Sequence, residues 1–532
     1  IGGNLTIENG ANISSMQGRI EFIGSIEAFL TINDSYTVLN SVTVNKFASS
    51  LTFSSQSTAK LSIAGNLALG SYTTLRLECS QDTEIQGNIT GSDTSALIAT
   101  QGKLKMCGSA SQIIQVPDLH SYLNHLEIAS QGIVSSVYDL TIKGDLTISL
   151  GVFEAPYSIY INGHWNNTLG PDAFIEGVGS VFFQGEHHQY CSTENFNRLV
   201  TNKNFGALRL LFANITCNSY VYGSGALDLL FGNFVANDLE QDGIYGDFYV
   251  NPFCRLELHQ DISNYVDLNG TVNMLGGEFH VYGGSVTSWW AYARPAALNM
   301  IDGLVYFHSQ GIEIPASGAT LNISGGTLRT DGNFSLGING FNAPNWTLYL
   351  SGTQDTGLWL AENAWLNNLV IDKSGRESVA IMRNHNGSPY PQTRNNTVYA
   401  NTNLRIAANF NTLNGGLSAP AIMEVKGNWQ GASTASFYGN NGRVVFSGDQ
   451  LSQISVSSGF YDLEIYKQCD GLGVQLSSGV IINVSNQLNI ISGGLGTTDH
   501  NVIDVNNDLT INNGAGLNLS GEAIELSLEG DV

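Results

Sequence analysis

The stretch Gly442–Gly471, GRVVFSGDQLSQISVSSGFYDLEIYKQCDG, decides how the rest of the chain is read. It runs as a short apolar strand, a Gly turn, a polar stretch and a second strand. The pattern recurs in Gly179–Gly206, GSVFFQGEHHQYCSTENFNRLVTNKNFG, in Gly102–Gly132, GKLKMCGSASQIIQVPDLHSYLNHLEIASQG, and in Trp346–Gly375, WTLYLSGTQDTGLWLAENAWLNNLVIDKSG. In each copy an apolar strand ends in a small residue, Cys or Gln, followed by Gly. A polar run and an aromatic residue follow, then a Leu three or four residues later inside the second strand. A chain that repeats a supersecondary unit without repeating a polar catalytic set describes a scaffold.

Working outward, Tyr160–Lys203 aligns with Glu424–Lys467 with two compensating one-residue shifts. Trp165 falls against Trp429, Phe174 against Phe437, Phe196 against Phe460 and Leu199 against Leu463. A shorter phrase also recurs, in which Gly-Asn or Gly-Asp precedes an apolar strand: Gly3-Asn4-Leu5, Gly65-Asn66-Leu67, Gly87-Asn88-Ile89, Gly144-Asp145-Leu146 and Gly427-Asn428-Trp429 among others. It reads as a tight turn, with Gly or Asn available for positive φ, feeding a strand of alternating inward residues. Neighbouring copies lie about twenty residues apart, a β-solenoid period.

The fold expected is therefore all-β: a right-handed parallel β-helix (β-solenoid) with about 20–25 residues per rung and minimal helix. It is read as one continuous solenoid over residues 1–532, with insert loops near 285–297 and 383–396. Antiparallel sandwiches do not repeat their sequence in register over hundreds of residues. Stacked rungs place apolar residues inside and line up Asn or Thr at the turns. About 23 rungs at ~4.8 Å give a rod of roughly 110 Å. Both ends read as repeat, so the chain is expected to continue or to meet further copies.

Composition agrees. Charged residues are 12% of the chain, about half the usual share, while apolar residues at 42% are ordinary. The difference is made up by 60 Gly and by Asn, Ser and Thr, the residues of turns and strands. A net charge of −24 argues against nucleic acid, which needs a basic surface, and against anionic membranes. No run of eighteen apolar residues marks a membrane span. Six cysteines, Cys79, Cys107, Cys191, Cys217, Cys254 and Cys469, show no zinc spacing. They read as small core residues, or as cross-links between neighbouring rungs at Cys79/Cys107 and Cys191/Cys217.

The phrases V-x-F-x-G…F-x-D-L-x-I, Val444 to Ile465, and G-N-W, Gly427 to Trp429, resemble those of large secreted β-helix surface proteins of bacteria. That group includes haemagglutinin-like adhesins and repetitive passengers exported by type IX or autotransporter-like routes. The resemblance implies an architecture and an extracellular or cell-surface location, and names no substrate.

Departures from the repeat are where chemistry is sought. SVTSWWAYARPAA, residues 285–297, carries Trp289, Trp290, Tyr292 and Arg294. Aromatic platforms stack on sugar rings; the plainer readings are a side loop packed on the rod or a chain–chain contact. RNHNGSPYPQTRNN, residues 383–396, offers Arg383, His385, Tyr390 and Arg394 to an acidic glycan, or is a surface loop. Asp238, Glu240 and Asp242 alternate along one strand face and are weak candidates for structural Ca²⁺. Glu186-His187-His188 aligns with Asp449-Gln450-Leu451 and reads as surface decoration. No nucleophile elbow or P-loop is present.

The function expected is a non-catalytic extracellular structural or adhesive rod, without a catalytic set or cofactor beyond that Ca²⁺. Its partners would be further copies of itself, the continuation of a longer chain, or surface carbohydrate. The alternative is a β-helix polysaccharide lyase or glycoside hydrolase, which needs carboxylates converging across adjacent rungs.

Overall fold

The computed structural model describes residues 1–529 apart from 12, 14–16, 57, 118–119, 224, 237–246, 260–270, 283–295, 309–310, 315–318, 354, 375–396, 401–402 and 434. The chain is a β-solenoid of about 20 turns with 62% of its residues in strands. It divides into two compact units, Ile1–Leu256 and Glu257–Val532. A 3-10 turn at Pro171–Ala173 interrupts the strands.

In the first unit, Leu5–Ile7, Ala28–Ile32, Ser49–Ser55, Thr73–Glu78 and Ala96–Ala99 form one sheet in chain order. Each strand lies parallel on its equivalent a rung earlier, as in Ala28↔Leu51 and Thr74↔Ala96. In the second unit, Ala296–Phe307, Gly326–Thr330, Trp346–Leu350 and Asn368–Asp372 do the same on one face. Leu404–Ile406, Ile422–Val425, Arg443–Gly448, Ser458–Lys467 and Ile481–Ser492 do so on another. The step between partners varies. It is 18 residues at Ser180↔Arg198 and 26 at Trp165↔Cys191. At Leu369↔Phe410 it stretches to 41.

Side chains alternate as a pleated strand requires. Val444, Phe446, Leu463 and Ile465 point inward and are fully buried, with Val444 on Leu463 and Phe446 on Ile465. The aligned copy repeats the arrangement with Val181 on Leu199. The aromatic matches are geometric too. Trp165 meets Phe174 edge-on at 4.8 Å and Phe196 at 5.2 Å, while Trp429 meets Phe437 at 4.8 Å and Phe460 at 5.3 Å.

The Gly-Asn phrase works differently from the expectation of positive φ. Gly65, Gly87, Gly163 and Gly427 keep ordinary negative-φ backbones. What they supply is closeness: a Cβ on Gly87 would lie 2.4 Å from the Gly65 carbonyl oxygen, and one on Gly163 would lie 2.3 Å from the Gly144 carbonyl carbon. The Asn side chain then accepts from the next rung. Asn66 Oδ1 takes the Asn88 N–H at 2.8 Å, and Asn88 Oδ1 takes the Ile113 N–H at 3.0 Å. The Asn ladder expected from stacked rungs occurs as Asn322 to Asn299 to Asn273, each step 2.8 Å.

In each of the four long copies the second strand ends in a buried polar knot. Lys203, Lys373 and Lys467 close the phrases LVTNK, LVIDK and LEIYK, and Lys46 closes VTVNK; all four are buried. Lys467 Nζ donates to the Lys426 and Gln450 carbonyls at 2.8 and 2.9 Å and to Ser452 Oγ at 2.6 Å. Lys203 Nζ donates to Gln189 Oε1 at 2.6 Å and to the Gly185 carbonyl at 3.3 Å. In the copy at Gly102–Gly132 the position is Ser130, whose hydroxyl donates to the Gly108 and Ala110 carbonyls. A donor at this corner answers carbonyls that the turn turns inward, and an unanswered buried carbonyl is costly. Burial pushes the Lys203, Lys373 and Lys467 ammonium groups down to about 8.

No disulfide joins the six cysteines; Cys79, Cys191, Cys217 and Cys254 are buried thiols. The core reading of these residues holds, and the cross-links considered at Cys79/Cys107 and Cys191/Cys217 are not formed.

Candidate functional site

A parallel solenoid turns every second residue of a strand outward and aligns it with its equivalents a rung away. On the second unit this register assembles a ladder. His280 pairs with Tyr306, Tyr306 with Arg329, and Arg329 with Tyr349. Their inward neighbours Phe279, Val281, Val305, Phe307, Leu328, Leu348 and Leu350 are buried, which turns Tyr306, Arg329 and Tyr349 toward the surface, while His280 at the end of the ladder is covered by its neighbours.

The Arg329 guanidinium lies over Tyr306 at 4.3 Å and over Tyr349 at 4.9 Å from the ring centres, so a cation is sandwiched between two phenols. Arg329 Nε donates to Ser351 Oγ at 2.8 Å. Tyr306 donates its hydroxyl across both oxygens of Asp331 at 2.9 Å, and Tyr349 donates to Asp372. Burial and then the Asp331 hydrogen bond push the Tyr306 phenol up. The same two causes, with Asp372 as acceptor, push Tyr349 up to about 12. Asn414, donating at 2.7 Å, and Tyr349 hold Asp372 below the usual carboxylate range.

Beside this column the rings continue. Tyr282 stacks on His308 at 4.1 Å and on His259 at 4.4 Å, and Tyr306 lies 3.6 Å from His308. His280 Nδ1 and His308 Nε2 are 3.0 Å apart, and His280 Nε2 faces Glu278 at 3.0 Å. One imidazole of the pair donates and the other accepts. The result is a strip of planar groups with carboxylates tying down its hydroxyls.

The first unit carries a different departure from the repeat. Glu194 aligns with Ser458, and both receive a Trp indole N–H: Trp165 Nε1 donates to Glu194 Oε2 at 3.0 Å, and Trp429 Nε1 to Ser458 Oγ at 3.0 Å. Where one copy keeps a hydroxyl, the other buries a carboxyl completely. Asn167 Nδ2 also donates to Glu194 Oε2, at 2.8 Å, yet burial dominates and pushes the acid up to about 7.

Trp289, Trp290, Tyr292 and Arg294 lie outside the described residues, as do Arg383, His385, Tyr390 and Arg394 and the Ca²⁺ candidates Asp238, Glu240 and Asp242. Tyr282 is the last described residue before the first of these segments. Glu186, His187 and His188 are exposed at a turn, where His188 Nδ1 accepts from the Ala207 N–H at 3.1 Å. Among the described residues no cluster of three or more His, Cys, Asp or Glu side chains is placed to hold a metal ion. No helix there is long and apolar enough to cross a membrane.

Sequence reading missed the ladder because its members are separated by unequal steps, 26 residues from His280 to Tyr306, 23 to Arg329 and 20 to Tyr349. The Tyr and His content of FHVYG and VYFHS, on adjacent rungs, was the available signal. No known family model matches the chain, and no curated protein and no solved structure is significantly similar to it.

Proposed function

We propose that the chain is a non-catalytic extracellular rod of structural or adhesive kind, a segment of a larger cell-surface or filament protein. It engages surface glycans, or further copies of itself, through what it displays on its outer faces. The observation that carries this reading is the ladder from Tyr306 to Tyr349, where a cation and aromatic rings sit in register on successive rungs. Rings of this kind offer apolar faces with polar edges, the chemistry of recognition surfaces. Each contact is weak, and repetition along a stiff scaffold multiplies weak contacts into avidity.

The phrases shared with secreted bacterial β-helix surface proteins, haemagglutinin-like adhesins and type IX or autotransporter-like passengers, support the extracellular placement. So does a surface of low charge density whose repeats conserve packing, while the polar decoration differs between copies.

Two measurements on one preparation test the reading. Retention on immobilised polysaccharide is compared between the native chain and a Tyr306→Ala, Arg329→Ala double variant, and negative-stain images record whether the native chain forms multimers or fibres. An adhesive rod shows retention that the double variant loses, or ordered multimers. Monodisperse single particles with no retention on any polysaccharide rule it out.

A further inference from the structure

The first unit holds a groove of about 610 Å³ on the sheet formed by Ser49–Ser55, Thr73–Glu78 and Ala96–Ala99. That is the volume of an ordinary small-ligand site. Its working surface is made by Glu27, Tyr72, Arg76, Asp93, Pro117 and His120.

Three observations give it a chemical character. First, Tyr72 stands at the mouth, 56% exposed, on a backbone with φ of 57°. A bulky residue in that region is rare and strained, and such outliers cluster at ligand sites. The strain is held in place: the Tyr72 N–H donates to Thr94 Oγ1 at 3.0 Å, and its ring is braced edge-on against Phe47 at 5.4 Å. The equivalent position one rung earlier is Ala48, also at positive φ, which leaves the space beside the Tyr72 ring open.

Second, Arg76 is in register with Thr52 and Ile98 on the groove floor, and among the described residues no hydrogen bond or ion pair engages its guanidinium. Third, each carboxylate is anchored by one hydroxyl. Ser50 Oγ donates to Glu27 Oε1 at 2.9 Å and the Tyr138 hydroxyl donates to Asp93 Oδ1 at 2.6 Å, which leaves the second oxygen of each as an acceptor.

We propose that this groove is a binding site for a neutral oligosaccharide. Acceptors on two sides, a donor on the floor and a ring at the mouth suit a ligand whose hydroxyls both donate and accept and whose ring carries an apolar C–H face. A net charge of −24 and two lining carboxylates disfavour polyanions. The site is separate from the outward ladder and does not depend on it.

The test is an array of neutral and uronate-containing oligosaccharides, followed by calorimetric titration of the best neutral binder into the native chain and its Tyr72→Asn, Arg76→Gln and Arg329→Gln variants. Asn tolerates positive φ, so Tyr72→Asn removes the ring without new strain, and Arg76→Gln alters an outward side chain whose loss leaves the core intact. Neutral binding that weakens about tenfold or more in both groove variants, and is unchanged by Arg329→Gln, is the expected result. Binding restricted to acidic sugars, no binding on the array, or neutral binding that both groove variants retain overturns the proposal. If Arg329→Gln alone abolishes binding, the outward ladder is supported and the groove is refuted.

Discussion

Glu194→Gln probes the fully buried carboxyl that stands where the aligned repeat has Ser458. Its Oε2 accepts from Trp165 at 3.0 Å and Asn167 at 2.8 Å, and its Oε1 from the Asn195 N–H at 3.1 Å. These donors favour the carboxylate, but burial outweighs them, with Glu176 adding to the upward push, and the acid titrates near 7 instead of 4.5. Cys191, the neighbouring thiol, is pushed well above its ordinary 9.0 and does not titrate in this window.

The folded state therefore holds a proton that the unfolded chain has released between pH 4.5 and about 7. Stability falls as pH rises through that window and levels off above it. At about 1.4 kcal/mol per pH unit the loss is roughly 3 kcal/mol. Gln keeps the shape and one acceptor and cannot ionise. The variant is expected to match the native chain near pH 4.5 and to exceed it by roughly 3 kcal/mol at pH 8. Solenoids open rung by rung, so the assay is native-state hydrogen exchange of Trp165–Asn167 and Glu194–Asn202 at pH 5 and pH 8, corrected for intrinsic rates. Native-chain protection that does not fall between the two pH values, or a variant less protected at both, refutes the reasoning.

Three further substitutions probe the scaffold, each read by hydrogen exchange or thermal melting. Lys467→Met removes the donor to the Gln450 carbonyl and to Ser452 Oγ, leaves the Lys426 carbonyl with only its Ser452 hydroxyl donor, and should cost about 3 kcal/mol, whereas an exposed lysine would cost nothing measurable. Trp429→Ala empties the centre of a cluster with Phe410, Phe437, Phe446 and Phe460 and should cost about 3–5 kcal/mol. Gly232→Ala sets a side chain at φ 135° with its Cβ 1.9 Å from the Ala213 carbonyl oxygen, and should cost at least ~2 kcal/mol and separate the rungs locally.

Much of the scaffold was legible because packing repeats. The match of Trp165 to Trp429 and of Phe196 to Phe460 is written in residue type, and the structure turns it into two clusters of nearly the same dimensions. The corner lysines were written there as well, closing three of the four long copies, but a lone Lys after a strand looks like a solvated end until its burial is seen. The Gly of the Gly-Asn phrase was visible while its reason was not: close approach between rungs depends on how they stack, and local backbone preference does not report that.

The binding surfaces were the least legible. His280, Tyr306, Arg329 and Tyr349 meet only because bulges and unequal turns bring them into register. Arg76 becomes notable only once its lack of a partner in a groove is known. Sequence departures pointed instead to residues 285–297 and 383–396, where the composition changes most.

The most direct measurement incubates the chain with neutral and acidic polysaccharides and follows, in the same samples, co-sedimentation and polymer length. An adhesive rod carries polysaccharide into the pellet and leaves every polymer at full length, and Tyr306→Ala with Arg329→Ala reduces the amount carried. Shortening of any polymer in step with the amount of chain present contradicts the reading of a non-catalytic rod.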